Sequence, residues 1–435
     1  MSKRNHTFSG TIRYYLVIGS LFFLSLGTCT EDKPTKPNSK TPNSKPPNSK
    51  PPNSKPPSSK TPNSKQKLVF DQKKVEALFG NGKLDKALRR GHTRFNSEQL
   101  ACIDAKLAAL SKDEMDKLRG KLCVGVQQGT QVICRLRGKE RFSDPDKTIN
   151  QVYASACSLP NPKTSKKDIP KEARDPKSWE KLARLVLEAS YEAILLWAAK
   201  NAPDKPVFLT QLGGGYFYNK PAWITDAIKY AMKKAGGGLE VYKVRYNDED
   251  GNYQKKWFQE VFGCEDTKSK IKEVYDLIDV GNNSYKMKHK TDSNKVFTMG
   301  RFSTPSLAEL RKECPSSNGT TNAKTPTTVF GESSTLQAEP KNVGATFQVA
   351  SQANCLEFSD KKQEPESGIA IYGIDESQGP ACAIGCPAGT VFRNYYASAG
   401  KDGRLASSAA GSGQTTHNQL SLLKPLLVAL LGLEE

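Results

Sequence analysis

The stretch Val207-Phe-Leu-Thr-Gln-Leu-Gly-Gly-Gly-Tyr-Phe-Tyr-Asn219 decides how this chain is read. A short apolar run ends in three consecutive glycines, and an aromatic cluster follows. Next comes Trp223-Ile-Thr-Asp-Ala-Ile-Lys-Tyr-Ala-Met-Lys-Lys234, with apolar residues at helical spacing. The order is strand, glycine loop, helix. Glycines let backbone N–H groups approach a ligand closely, and a helix N-terminus favours negative charge. The stretch therefore reads as a phosphate or pyrophosphate cradle.

Its flanks repeat the alternation. Asp175-Pro-Lys-Ser-Trp179 opens a strong helix that runs to about Lys200, and Leu239 to Tyr246 reads as a strand. Upstream, Val75 to Leu88 and Ser97 to Leu118 have helical periodicity. Leu122–Val126, Gln131–Cys134 and Val152–Cys157 are short apolar runs with strand character. Downstream come Trp257 to Phe262 and a charged helical stretch, Lys268 to Leu277. Lys295 to Phe302 reads as a strand, and Ser303 to Arg311 as a capped helix with proline near its start. Thr328–Phe330 and Ala345–Ala350 are further strands. Gly379 opens a helix that carries on toward Tyr395, and Leu420 to Leu433 reads as a closing helix despite Pro425. Strands and helices in this order predict an α/β fold, a mixed sheet flanked by helices.

The first 66 residues are built differently. Lys3, Arg4 and Arg13 precede an apolar run from Tyr14 to Leu26, so residues 1–29 read as a secretory signal peptide. An uncleaved anchor is the alternative, because the run is near the short limit for a membrane span. Residues 36 to 65 repeat a unit of the type Pro-Pro-Asn-Ser-Lys. Proline at that density prevents helix and sheet, and nothing in the repeat can bury a core. Residues 30–66 are expected to be a disordered tether, with the folded domain spanning 67–435. The tether supplies a good part of the formal net charge of +20. The charge is thus weak evidence for nucleic acid; a solvated spacer explains it more cheaply. These features predict a secreted or surface-displayed protein that touches a membrane only through its N-terminal segment.

Little other chemistry is on offer. The four histidines, His6, His92, His289 and His417, are isolated from one another. A histidine-based zinc site is disfavoured, and so is a serine triad on a Gly-x-Ser-x-Gly elbow, which the sequence lacks. Of the ten cysteines, Cys123, Cys157 and Cys355 sit in apolar runs, where a buried thiol is the simple reading. Cys382 and Cys386 are one helical turn apart without a second pair to complete a metal site. No metal or cofactor is expected.

Several segments together carry a resemblance. They are Leu185–Ala193, Leu209-Thr-Gln-Leu-Gly-Gly-Gly215, Gly300–Arg311, Phe347-Gln-Val-Ala-Ser-Gln-Ala-Asn-Cys-Leu-Glu-Phe358, Asp375-Glu-Ser-Gln-Gly-Pro-Ala-Cys-Ala383 and Thr390–Tyr396. Spread over roughly residues 80 to 425, this set resembles a family of macro-domain-like proteins. In that family the Gln-Val-Ala-Ser-Gln half precedes the triple-glycine half; here the order is reversed. The resemblance implies a circularly permuted macro-like domain whose halves, 67–246 and 253–435, join near Asn247 to Asn252. Without permutation, two domains are the alternative.

The resemblance also implies roles. A glycine loop of this kind wraps a diphosphate, which assigns Gly213, Gly214, Gly215, Tyr216 and Phe217 to an ADP-ribose-type ligand, with Asn219 beside them. Glu332 corresponds to an acidic residue near the adenine, and Asn354, with Gln352 before it, to the residue facing the distal ribose. The glycine-rich first loop of the family is absent after Asn354, where Cys355-Leu-Glu-Phe358 stands. From the residues themselves, Glu357 is either an acid/base group or a paired carboxylate. Asp375 and Gln378 hold a water or cap a helix, and Arg393 and Asn394 clamp a phosphate or stack structurally. Glu188 and Glu192, one helical turn apart, read more simply as a surface face than as a catalytic pair. Two functions follow. One is binding of an ADP-ribose-type nucleotide or ADP-ribosylated protein, with hydrolysis by Asn354, Glu357 and Asp375 in its enzymatic version. The other is an inactive interaction module on the same scaffold.

Overall fold

Strand β3 (Val207–Leu209) is buried along its whole length, and its neighbours are the reason. The computed structural model describes residues 71–88, 92–135, 141–161, 175–245, 257–314, 324–331, 333–351, 368–375, 378–397 and 421–433. Among these, nine strands form one sheet in the order β5-β6-β7-β1-β2-β9-β3-β4-β8. The others are β1 (Gly125–Arg135), β2 (Arg141–Ala154), β4 (Val241–Arg245), β5 (Tyr275–Asp279), β6 (Ser284–His289), β7 (Val296–Ser303), β8 (Thr327–Phe330) and β9 (Thr346–Ala350). Strands β2, β9, β3, β4 and β8 run parallel. Strands β1, β7, β6 and β5 extend the sheet antiparallel. The fold is α/β with a mixed sheet, and the described residues all lie in one compact unit, Lys65–Glu435. The expected signal peptide (1–29), tether (30–66) and junction at 247–252 lie outside the described residues.

Alternation along the strands sends side chains to two cores. Val152, Ala154, Val207 and Leu209 enter the larger one. It is closed by α3 (Ser97–Ala109), α4 (Lys112–Arg119), α5 (Glu180–Asn201), α6 (Pro221–Ala235), α9 (Leu307–Glu313) and α13 (Lys424–Leu431). Tyr153, Phe208, Phe347 and Val349 point the other way. That face is covered by α7 (Trp257–Phe262), α8 (Lys268–Val274), α10 (Ser333–Ala338), α11 (Gln378–Ile384), α12 (Pro387–Val391) and a π turn, Phe392–Tyr396.

Several boundaries differ from the sequence reading, each for a local reason. The helix expected over 75–88 is two, α1 (Gln72–Phe79) and α2 (Lys83–Ala87). Asn81 and Gly82 between them take φ values of 52° and 71°, which no helix accommodates. The helix expected over 97–118 restarts at Ser111, whose hydroxyl and Glu114 form a reciprocal capping box. Two expected strands merge into β1, which absorbs Gly129 (φ 64°) at a bulge. The stretch from Lys268 is helical only to Val274; Tyr275 begins β5, and Gly281-Asn-Asn283, all at positive φ, turns it into β6. Helix α9 is capped by Ser306, so Pro305 precedes the helix. Pro425 lies in the first turn of α13, where no N–H bond is lost.

Helix α5 is buried over most of its length, and Glu188 and Glu192 do not make a surface face. Glu192 is 2% exposed and takes two bonds from Arg311, at 2.7 and 2.8 Å. Arg311 also reaches Asp116, and Glu188 accepts from Arg119 at 2.6 Å. The pairs lock α5 to α4 and α9, so the catalytic alternative for these glutamates is replaced by a structural one.

Candidate functional site at the C-terminal ends of the parallel strands

Strands β9 and β3 are parallel neighbours. From β3 the chain turns into α6, part of the larger core, and returns as β4. Among the described elements that follow β9 in the chain, α11 packs against β9 and α12 against β1, both on the other face. In open α/β sheets ligands bind outside the carboxyl ends of the strands, where neighbouring connections diverge. The glycine loop, residues 210–220, lies at that edge.

The loop is held from below. The backbone N–H and hydroxyl of Thr210 both donate to Gln348 Oε1, at 2.8 and 2.9 Å, tying the loop's first residue to β9. Tyr191 of α5 donates to the Thr210 carbonyl (2.7 Å) and accepts from Leu212 N–H (2.9 Å). Burial pushes the Tyr191 phenol well above its ordinary range, so it stays neutral and can serve in both roles. Asn219 donates to the carbonyls of Cys157 (2.8 Å), Phe217 and Gly213. At 2% exposure, with its amide spent on these carbonyls, Asn219 underpins the loop from within.

The three glycines serve different ends. Gly213 has φ 71°, and a Cβ there would lie 2.5 Å from the Ala156 Cβ and 2.6 Å from Asn219. Gly214 packs near Ile224, whose Cδ1 would be 3.0 Å from an added Cβ. Gly215 faces open space. Tyr216 beyond it is 84% exposed, and Tyr218 is exposed at φ 54°. Phe217 is half-buried near His92, with ring centres 5.8 Å apart. Lys220 precedes α6 without a side-chain cap, which leaves the first-turn N–H groups of that helix without a capping side chain.

The second group lies on the other face of the sheet. Arg393, in the π turn, is 2% exposed and stacks over Tyr153 with 4.0 Å from its guanidinium carbon to the ring centre. Its Nη2 donates to Thr390 Oγ1 at 3.2 Å, while Nε and Nη1 have no partner. Asn394 spends its amide on the Thr390 carbonyl at 2.8 Å, a helix-internal bond that accounts for its burial. Arg393 and the glycine loop thus border one strand end, through Tyr153 and Ala156 respectively. Asp375 is half-buried between a 3-10 turn (Ala370–Ile374) and Gln378, the first residue of α11. Glu332, Gln352, Asn354 and Glu357 lie outside the described residues.

Gln348, Thr210 and Tyr191 were not anticipated as parts of this site. A glutamine between two apolar residues of β9 and a tyrosine on an apolar helix carried the signal: buried polar groups need partners. Among the described residues no cluster of three metal-ligating side chains occurs, and no helix is long and apolar enough to cross a membrane. Among the described residues Cys102, Cys157, Cys264 and Cys314 are free thiols. No family model, curated protein or solved structure matches this chain.

Proposed function

We propose that this chain binds an ADP-ribose-type nucleotide at the β9–β3 crevice, with the diphosphate on the backbone of Gly214 and Gly215 and a ring of the ligand against Tyr216 or Phe217. The observation that carries the reading is the loop itself. It is clamped by Gln348, Tyr191 and Asn219, yet opens at Gly215 beside the uncapped start of α6. A rigid, glycine-exposed turn next to a helix N-terminus suits an anionic group. The resemblance to macro-domain-like proteins names the ligand class. Permutation is supported by the first and last described helices lying together: Gln72 Nε2 donates to the Gly432 carbonyl at 2.8 Å. In the hydrolytic version Asp375, Glu357 and Asn354 position water at the anomeric carbon. The basic, apolar start and proline-rich repeat favour an extracytoplasmic setting for this activity.

Calorimetric titration of the full chain with ADP-ribose tests the reading, alongside a Gly215→Glu variant. The wild type binds and the variant, whose new side chain enters open space with a charge that repels phosphate, does not. Folded wild type that takes up no ADP-ribose overturns the ligand assignment and leaves the interaction-module reading. Loss of ADP-ribosyl hydrolysis in Glu357→Gln or Asp375→Asn chains that still bind would establish the catalytic version.

A further inference from the structure

Among the described residues Arg393 is a buried cation without a carboxylate partner. Its polar contacts are one hydroxyl, Thr390 Oγ1, and the face of Tyr153, whose own hydroxyl is committed to Gln151. The ring contact recovers only part of what a guanidinium loses on leaving water. Buried water would satisfy Nε and Nη1 and still leave the charge uncompensated.

The surroundings contain further unmatched groups. Gly389 lies one helical turn before Arg393, and a Cβ there would sit 2.6 Å from Thr130 Oγ1 and 3.0 Å from Gln127 Cγ. The small residue thus brings β1 against the face of the helix that Arg393 shares. Thr130 Oγ1 and Gln127 Oε1 are both buried and both lack partners, while the Gln127 amide is committed to the Met299 carbonyl at 2.6 Å. Unpaired donors on Arg393 and an unpaired acceptor on Gln127 therefore lie in one polar layer between β1, β2 and α12.

We propose that Arg393, Thr130 and Gln127 form a receptor for a single phosphate group, separate from the glycine loop and on the opposite face of the sheet. A hydrogen phosphate supplies the missing negative charge, acceptor oxygens for Arg393 and Thr130, and an O–H for Gln127 Oε1. A carboxylate offers acceptors only and leaves the glutamine oxygen unmet. The chemistry is shared by free phosphate and by the terminal phosphate of a monoester.

Titration of the full chain with inorganic phosphate tests this, with ribose 5-phosphate and acetate as parallel probes. Three chains are compared: wild type, Gly215→Glu and Arg393→Lys. Arg393→Lys keeps the charge and the fold but loses the planar fork, and binding weakens by about tenfold or more. Gly215→Glu removes any phosphate taken up by the glycine loop and leaves the uptake that belongs to Arg393, so failure of the nucleotide reading and failure of this one are separable. Uptake of ribose 5-phosphate as well identifies a monoester site; uptake of inorganic phosphate alone identifies a free-ion site. The proposal is overturned if folded wild type binds no phosphate, if acetate binds as tightly, or if binding disappears in Gly215→Glu and persists unchanged in Arg393→Lys.

Discussion

At Asn219 one amide group holds three carbonyls of the loop region. Asn219→Ala leaves them short of a donor in a buried setting, and the expected loss of stability is about 2 kcal/mol. Denaturant unfolding reads it directly; a midpoint within error of wild type would remove Asn219 from its supporting role. Asp266 makes a second test. It accepts from Tyr395 at 2.6 Å and from the Ala370 N–H, yet burial outweighs these bonds and lifts its carboxyl above the ordinary range. As pH rises the unfolded chain releases this proton first. The contribution of Asp266 to stability is therefore greatest in acid and falls as pH climbs from about 4 to the raised value. The stability difference between wild type and Asp266→Asn should decline over that interval. A pH-independent difference would contradict the assignment. The sequence shows three adjacent glycines but not how they divide the work. Gly213 is required by its φ and by Ala156, a residue more than fifty positions away, while only Gly215 is open. That division depends on packing that no local pattern encodes.

Among the elements, helix α5 was the most legible, because 22 residues with dense apolar content have few other fates. What stayed hidden was the burial of its charged side. Glu192 looked like a surface residue because its partner, Arg311, lies on another helix, 119 positions later. Glu192→Ala removes one member of that pair from a nearly dry site and should cost roughly 3 kcal/mol. Glu192→Gln should cost less, since it keeps a bonding oxygen. Urea midpoints of the two variants check this, and equal, negligible shifts would show the pair to be dispensable. The β5–β6 hairpin was missed for a different reason. The charged stretch Lys268 to Leu277 reads as one helix and so absorbs the start of β5, and the turn at Gly281-Asn-Asn283 is the cue that outranks it.

For the molecule as a whole, the fold class followed from the alternation of patterns, but the crevice did not. It depends on β9 inserting between β2 and β3, and strand order is a long-range property. The closing helix is equally non-local. Leu423, Leu426, Leu427, Leu430 and Leu431 are all buried in the larger core. At about 1.5–3 kcal/mol for each, their removal approaches the entire stability of a typical domain. A chain ending at residue 420 should lose its near-ultraviolet circular dichroism and cooperative melting; retention of both would show that α13 is peripheral. The same helix imposes an order in time. Lys106 on α3 meets the Leu431 carbonyl across 325 positions of sequence. At ribosomal speeds of about 5–20 residues per second, α3 waits roughly 16 to 65 s for that partner to be made. Throughout that interval the nascent chain carries an uncovered leucine-binding surface, which makes it a natural client for whatever holds polypeptides unfolded during synthesis.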